Sequence, residues 1–235
     1  MSKRPFIVAI DGPAGAGKSS VSRLLARRLD FSLVDTGAIY RCAALLATRQ
    51  GVALDDDAGL GDLLREIPLS FKVVGDEIRV YLGVEDVSAA IRTPEVSMAA
   101  SKVSARATVR QGLLSLQRRL ALQSRKGAIL EGRDIGTVVF PDADLKFFLE
   151  ARPETRARRR YEELFQKGTE SSLDEVLSDQ IKRDRDDSTR EIAPLKASED
   201  AIRVDTTQMP LSEVVQTMER QIRSRIAQRA DSAPR

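Results

Sequence analysis

Phe6-Ile7-Val8-Ala9-Ile10-Asp11-Gly12-Pro13-Ala14-Gly15-Ala16-Gly17-Lys18-Ser19-Ser20 is the stretch that decides the fold. Phe6 to Ile10 is an unbroken apolar run, the pattern of a strand buried on both faces of a parallel sheet. Gly12 to Ser19 has the spacing of a phosphate-binding loop, glycine, four residues, Gly-Lys-Ser. A helical pattern follows, with Val21, Leu24, Leu25 and Leu29 on one face. Strand, glycine loop and helix in that order are what phosphate binding needs. Gly12, Gly15 and Gly17 carry no Cβ, so the backbone can curl and aim N–H groups at phosphate oxygens. The helix start adds unpaired N–H groups and the positive end of its dipole. Lys18 has the reach for β- and γ-phosphates, and the Ser19 hydroxyl can ligate Mg²⁺. The competing reading is a glycine turn that only packs, and the filled motif in its proper context argues against it.

A chain of 235 residues suits one α/β domain with a small insertion, and 42% hydrophobic residues can fill its core. No run of about 18 apolar residues occurs, so no transmembrane helix is expected. The first strand begins within five residues of Met1, so no signal peptide is expected. The lone cysteine, Cys42, excludes an internal disulfide, reads as a buried inert thiol and fits a reducing cytoplasm. There is no histidine, which removes imidazole general bases and imidazole zinc sites. The net charge is only +3, 38 basic residues against 35 acidic, a weak signal for a nucleic-acid partner.

Along the chain, Ser32 to Val34 reads as a second strand, followed by a helix from about Gly37 to Thr48. Asp35-Thr36-Gly37-Ala38-Ile39-Tyr40-Arg41 therefore lies at a strand's carboxyl end, where open α/β sheets bind ligands. Thr36 can hydrogen-bond there and Arg41 can fork onto a phosphate, or Thr36 caps the helix and Arg41 is a solvated charge. Gly51 to Gly61 reads as a loop or short polar turn. Leu69, Phe71 and Val73, then Ile78, Val80 and Leu82, alternate around Gly75-Asp76: a hairpin with a two-residue II′-type turn, and a third strand at about Val84 to Val87. An antiparallel hairpin inside an alternating α/β pattern marks an insertion at 63–101. Ala100 to Lys126 reads as a single helix bearing Ser101 and Arg110 near its start, and Ala128 to Leu130 as a buried strand ending in Glu131-Gly132-Arg133-Asp134. An acidic residue at such an end often holds Mg²⁺, and Asp134 is then free to read a substrate; the alternative is that Glu131 and Asp134 pair with arginines.

After a strand at Leu145 to Leu149, Pro153 opens a helix with Arg152, Arg156, Arg158, Arg159 and Arg160 nearby or within it. It reads as a lid over phosphates, or as a solvated or nucleic-acid face. Ser172 and Glu175 form a capping box for a helix expected to bury Leu173, Val176, Leu177 and Ile181. The charge-dense run Lys182 to Arg190 is an ion-pair ladder or a supply of arginines to an anion. Ala201 to Asp205 is a last strand, Ser212 a cap for a final amphipathic helix, and Ala230 to Arg235 a disordered tail.

These segments together resemble the bacterial cytidylate kinases of the nucleoside monophosphate kinase family. The resemblance rests on Ile10-Asp11-Gly12-Pro13 through Lys18, Asp35 to Arg41, Ile91-Arg92-Thr93-Pro94-Glu95-Val96, Ala100 to Ser104, Glu131-Gly132-Arg133-Asp134-Ile135-Gly136-Thr137-Val138-Val139-Phe140-Pro141 and Arg183 to Leu195. They stand in family order across nearly the whole chain. It implies an α/β P-loop kinase core, 1–62 and 102–230, with a parallel sheet flanked by helices. It also implies an inserted antiparallel monophosphate-binding subdomain at 63–101, an arginine lid at about 152–172 and a tail at 231–235. It implies transfer of the ATP γ-phosphoryl group to CMP or dCMP, with Mg²⁺, in a cytoplasmic monomer with no nucleic-acid or membrane partner.

By matching position, Gly12, Pro13, Ala14, Gly15, Ala16, Gly17, Lys18, Ser19 and Ser20 would bind ATP, with Ser19 on the metal. Thr36, Arg41, Ser101, Arg110, Arg133, Asp134, Arg183, Asp187 and Arg190 would surround the monophosphate. Ser101, Arg110 and Asp134 would read the cytosine edge. Lys18, Arg133 and the lid residues Arg156 and Arg160 would serve the transfer. Thr36 stands where serine also occurs and keeps the hydroxyl; Glu131 stands where aspartate is common, which leaves its metal role open. A kinase for UMP, dTMP or shikimate would share the first loop without explaining Ser101, Arg110 and Asp134 together. A regulatory or RNA-binding module would use the basic helices, but only 4% aromatic residues leave little for base stacking.

Overall fold

The computed structural model describes residues 4–74, 77–166 and 168–231. The chain forms two compact units, one of residues up to Leu33 together with those from Ala121 onward, the other Val34–Leu120.

The first unit is built on strand β1 (Phe6–Asp11), every residue of which is buried. It pairs in parallel with β6 (Gly127–Gly132) and β7 (Leu145–Glu150), and β7 pairs in parallel with β8 (Ile202–Asp205). The sheet order is β2-β6-β1-β7-β8, with β2 (Ser32–Asp35) the edge strand at which the chain leaves this unit. Central strands covered on both faces must be apolar on both faces, which is why β1 reads as a continuous rather than alternating run. Val8 and Ile10 pack with Val21 and Leu25 of α1 (Lys18–Leu29), Phe147 and Leu149 of β7, and Val214, Val215, Met218 and Ile222 of α8 (Leu211–Asp231). Burying each such side chain contributes on the order of 2 kcal/mol. Leu24 and Leu29 sit partly buried at the margin of this cluster, completing the face that the sequence pattern marks.

Gly12 sits where β1 turns into the loop, at φ 145°, and a Cβ there would stand 2.2 Å from the Leu149 carbonyl oxygen of β7. Only glycine lets the loop pass this close to the neighbouring strand. Gly12→Ala is therefore expected to destabilise the protein by more than about 3 kcal/mol, read as a melting temperature lower by roughly 6–12 °C. A melting temperature within a degree of the parent would refute the close packing.

Helices α6 (Pro153–Gln166) and α7 (Leu173–Thr189) complete the unit. Pro153 occupies the first turn of α6, and Ser172 and Glu175 form both bonds of the capping box, as the sequence predicts. Val176 is buried, but Leu173 and Ile181, expected in the core, are 39% and 51% exposed. The buried positions of α7 are instead Val176, Gln180 and Asp187, because polar partners on α6 and the site take up that face. Helix α8 starts at Leu211 rather than after Ser212, with the Glu213 and Val214 amides donating to the Pro210 carbonyl. It also runs through Ala230 and Asp231, the start of the expected tail; the remainder, 232–235, lies outside the described residues.

The second unit contains α2 (Thr36–Arg49), α3 (Asp57–Leu64), α4 (Pro94–Ser104), most of α5 (Ala107–Leu122) and the antiparallel sheet β3-β4-β5. β3 (Leu69–Val74) pairs with β4 (Glu77–Leu82) from Leu69↔Leu82 to Val74↔Glu77, and β5 (Glu85–Asp86) pairs with β4. That register leaves Gly75-Asp76 as the hairpin connection, whose turn type lies outside the described residues.

Two expectations are corrected in this unit. The segment expected as a loop holds α3, because the Asp56 carboxylate accepts from the Ala58 and Gly59 amides and Leu60 and Leu64 are buried. Capping and burial outweigh the low helix propensity of Gly59 and Gly61. The helix expected from Ala100 to Lys126 is two. α4 begins at the cap Thr93 with Pro94 in the first turn, and ends where the Ala105 and Arg106 amides bond three residues back. Ser101 thus lies on α4 and Arg110 on α5.

Candidate active site

In the first unit, the loop Gly12–Gly17 delivers the chain into α1 through Gly17, at φ 91°, with no side chain capping the helix and no acidic residue in its first turn. The start of α1 is thus left with its donors and positive dipole end, the arrangement that binds anions. Lys18 is buried, and its Nζ donates to the carbonyls of Gly12 and Pro13, each at 2.7 Å. Burial pulls this ammonium well below the usual lysine range; the neighbouring Arg133 and Arg183 add to that, and Glu131 and Asp11 oppose it. An arriving polyphosphate would supply the missing negative charge. Exposed Ser19 donates through Oγ to Glu131 Oε2 at 2.8 Å, so the hydroxyl and the end of β6 meet directly.

Beyond Glu131 the chain enters a π-helical turn, Ile135–Val139, in which the Val139 and Phe140 amides bond to the Asp134 and Ile135 carbonyls. Such turns are uncommon and concentrate at functional sites. Asp134, buried at 5% exposure, stands immediately before it. The Asp11 carboxylate accepts from the Ile135 amide at 2.8 Å and the Gly136 amide at 2.7 Å. Burial pushes the Asp11 carboxyl up to about 6, against those two bonds.

Arg133, Arg183 and Arg190 gather around Asp187 near the end of α7. Arg133 Nε donates to Asp187 Oδ2 at 2.9 Å, and Arg190 Nη1 lies 3.6 Å from Oδ1. Burial raises the Asp187 carboxyl, but the charges of Arg133, Arg183 and Arg190 outweigh it and hold the group below the usual range. Guanidinium groups gathered in this way have the geometry to take a phosphate. Arg156 on α6 is buried: it donates to the Ala14 carbonyl of the loop at 3.0 Å and to Ala151 at 2.9 Å, and pairs with Asp184 at 2.6 Å. Arg160 lies at the surface, paired with Glu163.

In the second unit, Asp35 rather than Thr36 caps α2, accepting from the Ala38 amide at 2.8 Å, and it also holds Arg41 at 3.1 Å. The reading of Thr36 as a cap is thereby corrected, and Arg41 is a half-buried paired charge rather than a solvated one. Thr36 is buried as the first residue of α2. Arg110 is buried too, its Nη1 3.4 Å from the Tyr40 hydroxyl and its guanidinium 5.4 Å from that ring's centre. The aromatic face and hydroxyl fix the plane of the guanidinium. Ser101 is half-buried on α4. Cys42, on α2, is a fully buried thiol that burial pushes up to about 12, inert as expected.

A family profile described as cytidylate kinase matches residues 8–224. A "Cytidylate kinase" of Geobacter sp. (strain M21) is 52% identical, over 94% of this chain and 94% of its own length. Another, of Mycobacterium leprae (strain Br4923), is 48% identical over 89% and 92%. The chain belongs to the cytidylate kinase family. Among solved structures, a gluconokinase from Sinorhizobium meliloti 1021 is similar with a TM-score of 0.50 and 14% identity, over 98% of this chain and 99% of that one, a likeness of the P-loop kinase fold alone.

Seen as a member of the cytidylate kinase family, the first unit carries the loop Gly12–Ser20, Arg133, Asp134, Arg183, Asp187, Arg190, Arg156 and Arg160; the second carries Thr36, Arg41, Ser101 and Arg110. Three residues beside these escape sequence reasoning as site residues. Asp11 precedes the loop and holds the Asp134 turn. Asp184 pairs with Arg156 and Tyr40 supports Arg110, whereas Glu131, read from the sequence as a candidate metal ligand, contacts Ser19 directly. A carboxylate closing an otherwise apolar buried strand was the available signal for Asp11. No helix among the described residues is long and apolar enough to cross a membrane.

Proposed function

We propose that this protein transfers the γ-phosphoryl group of ATP to CMP or dCMP, giving ADP and CDP or dCDP. The observation that carries the reading is the arrangement of the first unit. A glycine loop leading into an uncapped helix, with a buried lysine, stands beside three arginines gathered on one carboxylate, and Asp134 directly follows Arg133 at the start of the π-helical turn.

Gly12 to Ser20 bind the ATP phosphates, and Lys18 leaves the loop carbonyls to meet the β- and γ-oxygens. Arg41, Arg133, Arg183 and Arg190 hold the acceptor phosphate, and Asp187 and Thr36 complete its surroundings, with Asp187 accepting from ribose hydroxyls. Ser101, Arg110 and Asp134 read the base: the carboxylate accepts from the cytosine amino group and the arginine donates to O2 or N3. An oxygen of the CMP phosphate attacks the γ-phosphorus, the bond from that phosphorus to the β,γ-bridging oxygen breaks, and ADP leaves. That oxygen is already anionic, so no histidine or other base is required. Catalysis is positioning and charge neutralisation by Lys18 and Arg133, with Arg156 and Arg160 on the α6 lid at about 152–172.

The oxygen donors Ser19 Oγ and Glu131, 2.8 Å apart, fit Mg²⁺, a hard cation that takes hydroxyl and carboxylate ligands. Bound there, it would neutralise phosphate charge. The insertion 63–101 is the monophosphate-binding subdomain, and the enzyme acts as a cytoplasmic monomer without a nucleic-acid partner.

A coupled assay of ADP release from Mg-ATP tests the reading, with CMP, dCMP, UMP, dTMP, AMP, GMP and shikimate offered separately. Turnover with CMP and dCMP well above the others is expected. Equal or greater turnover with another acceptor, or none with any, refutes it.

A further inference from the structure

We propose that Asp11 is a positioning residue for the acceptor site, fixing the turn that carries Arg133 and Asp134 to the base of the ATP loop through the Ile135 and Gly136 amides. The inference rests on the functional reading above and deepens it.

The geometry is specific. One carboxylate oxygen takes the Ile135 amide and the other takes the Gly136 amide, so both lone-pair directions are engaged and the turn is held in translation and in rotation. The two donors directly follow Arg133 and Asp134 in the chain. Asp11 directly precedes Gly12, whose own position is set by contact with β7. A displacement of the 133–136 turn therefore moves the groups that meet the acceptor while leaving the loop in place, and displacements of about 1 Å are costly to reaction geometry. Asp134 and Lys18 are the charged neighbours of Asp11, one raising and one lowering its carboxyl. A Cβ on Gly136 would stand 3.0 Å from Lys146 Cδ, 3.3 Å from Ser198 Oγ and 3.4 Å from Asp11 Oδ2. Lys146 is itself buried and tied to the Pro141 carbonyl at 2.7 Å and Asp200 at 2.9 Å. The turn is thus clasped by Asp11 and packed closely against an anchored lysine. An ionised carboxylate is costly to bury, and an apolar side chain would suit the sheet centre better. What the carboxylate uniquely offers here is two acceptors and no donor.

Asp11→Asn tests this in the full chain, because the amide keeps the shape but turns an NH₂ donor toward one of the two backbone donors. The KM for CMP should rise about ten-fold or more and the preference for CMP over UMP should narrow, with the KM for ATP within about two-fold of the parent. Amide hydrogen exchange at Ile135 and Gly136 should accelerate. Unchanged exchange at these amides, or equal effects on the two KM values, or an effect fully accounted for by a smaller folded fraction, overturns the proposal. Should Asp11→Asn not fold, Gly136→Ala crowds the same clasp while keeping the carboxylate and both donors. It should raise the KM for CMP and spare that for ATP, and an equal effect on both, or on neither, overturns the proposal. Failure of the parent enzyme to use CMP would refute the functional reading alone; the exchange measurement would still decide whether Asp11 holds the turn.

Discussion

Lys18→Ala is expected to cut phosphoryl transfer from ATP to CMP by about a thousand-fold, or roughly 4 kcal/mol of transition-state stabilisation. The effect follows from where the ammonium sits. It is buried, with its solvation replaced by the Gly12 and Pro13 carbonyls. Burial and two neighbouring guanidinium groups disfavour its charge, so it is poised to gain from any anion that enters the loop. That gain is larger in the transition state, when charge spreads over the γ-phosphoryl oxygens and the bridging oxygen leaves. The variant should fold, since alanine is the best helix former and Lys18 opens α1. It leaves two loop carbonyls to water rather than a cavity in the apolar core. The measurement is kcat and KM for both substrates by ADP release, with circular dichroism to check the fold. A folded variant that keeps a tenth or more of the parent kcat would remove Lys18 from the transfer step.

The parts of this architecture that were legible in the sequence are those where one local rule dictates the outcome. β1 reads as a central strand because burial on both faces forces a continuous apolar run, and all its residues are buried. The capping box of α7 and Pro153 at the start of α6 are decided by the few residues around each helix start. The hairpin β3–β4 follows from alternation, and its register places Gly75-Asp76 at the connection. What the sequence conceals is set by pairs far apart in the chain. α3 has two glycines and reads as a loop until Asp56 and the burial of Leu60 and Leu64 are known. α4 and α5 share one apolar periodicity, and only bonds to the third residue back end the first. Leu173 and Ile181 look like core residues by spacing, yet Gln180 and Asp187 take the inward face, because partners on α6 and on the Arg133 turn supply their hydrogen bonds. For the site, residue types and spacing mark the arginines but not their supports. Arg156 offers the same letters as Arg158, and only the structure shows it under the loop at Ala14 and against Asp184. The Asp11 clasp spans more than a hundred residues of sequence, so no local pattern encodes it.

Replacing Asp134 separates base recognition from ATP chemistry, and it does so with a sign as well as a size. In the proposed pose its carboxylate accepts from the cytosine amino group, whereas uracil presents O4, a second acceptor, at the same place. Burial at 5% exposure sharpens the difference, because a carboxylate facing an acceptor without water loses the hydrogen bonds it had in solution. Asp134→Ala removes both the attraction to CMP and the penalty against UMP. The ratio of kcat/KM for CMP over UMP should fall by about ten- to a hundred-fold, with the KM for ATP nearly unchanged. Asp134→Asn goes further, since its amide can offer a donor to O4. It should lower CMP use while raising UMP use above that of the alanine variant. The backbone role of the residue is spared in both, because the Val138 and Val139 amides bond to its main-chain carbonyl. Kinetics with CMP and UMP as acceptors measure both ratios. A preference for CMP that survives both substitutions would take Asp134 out of base reading and leave Ser101 and Arg110 to account for it. An ordering with asparagine closer to the parent than alanine would mean that the residue serves as an acceptor from the protein rather than from the base.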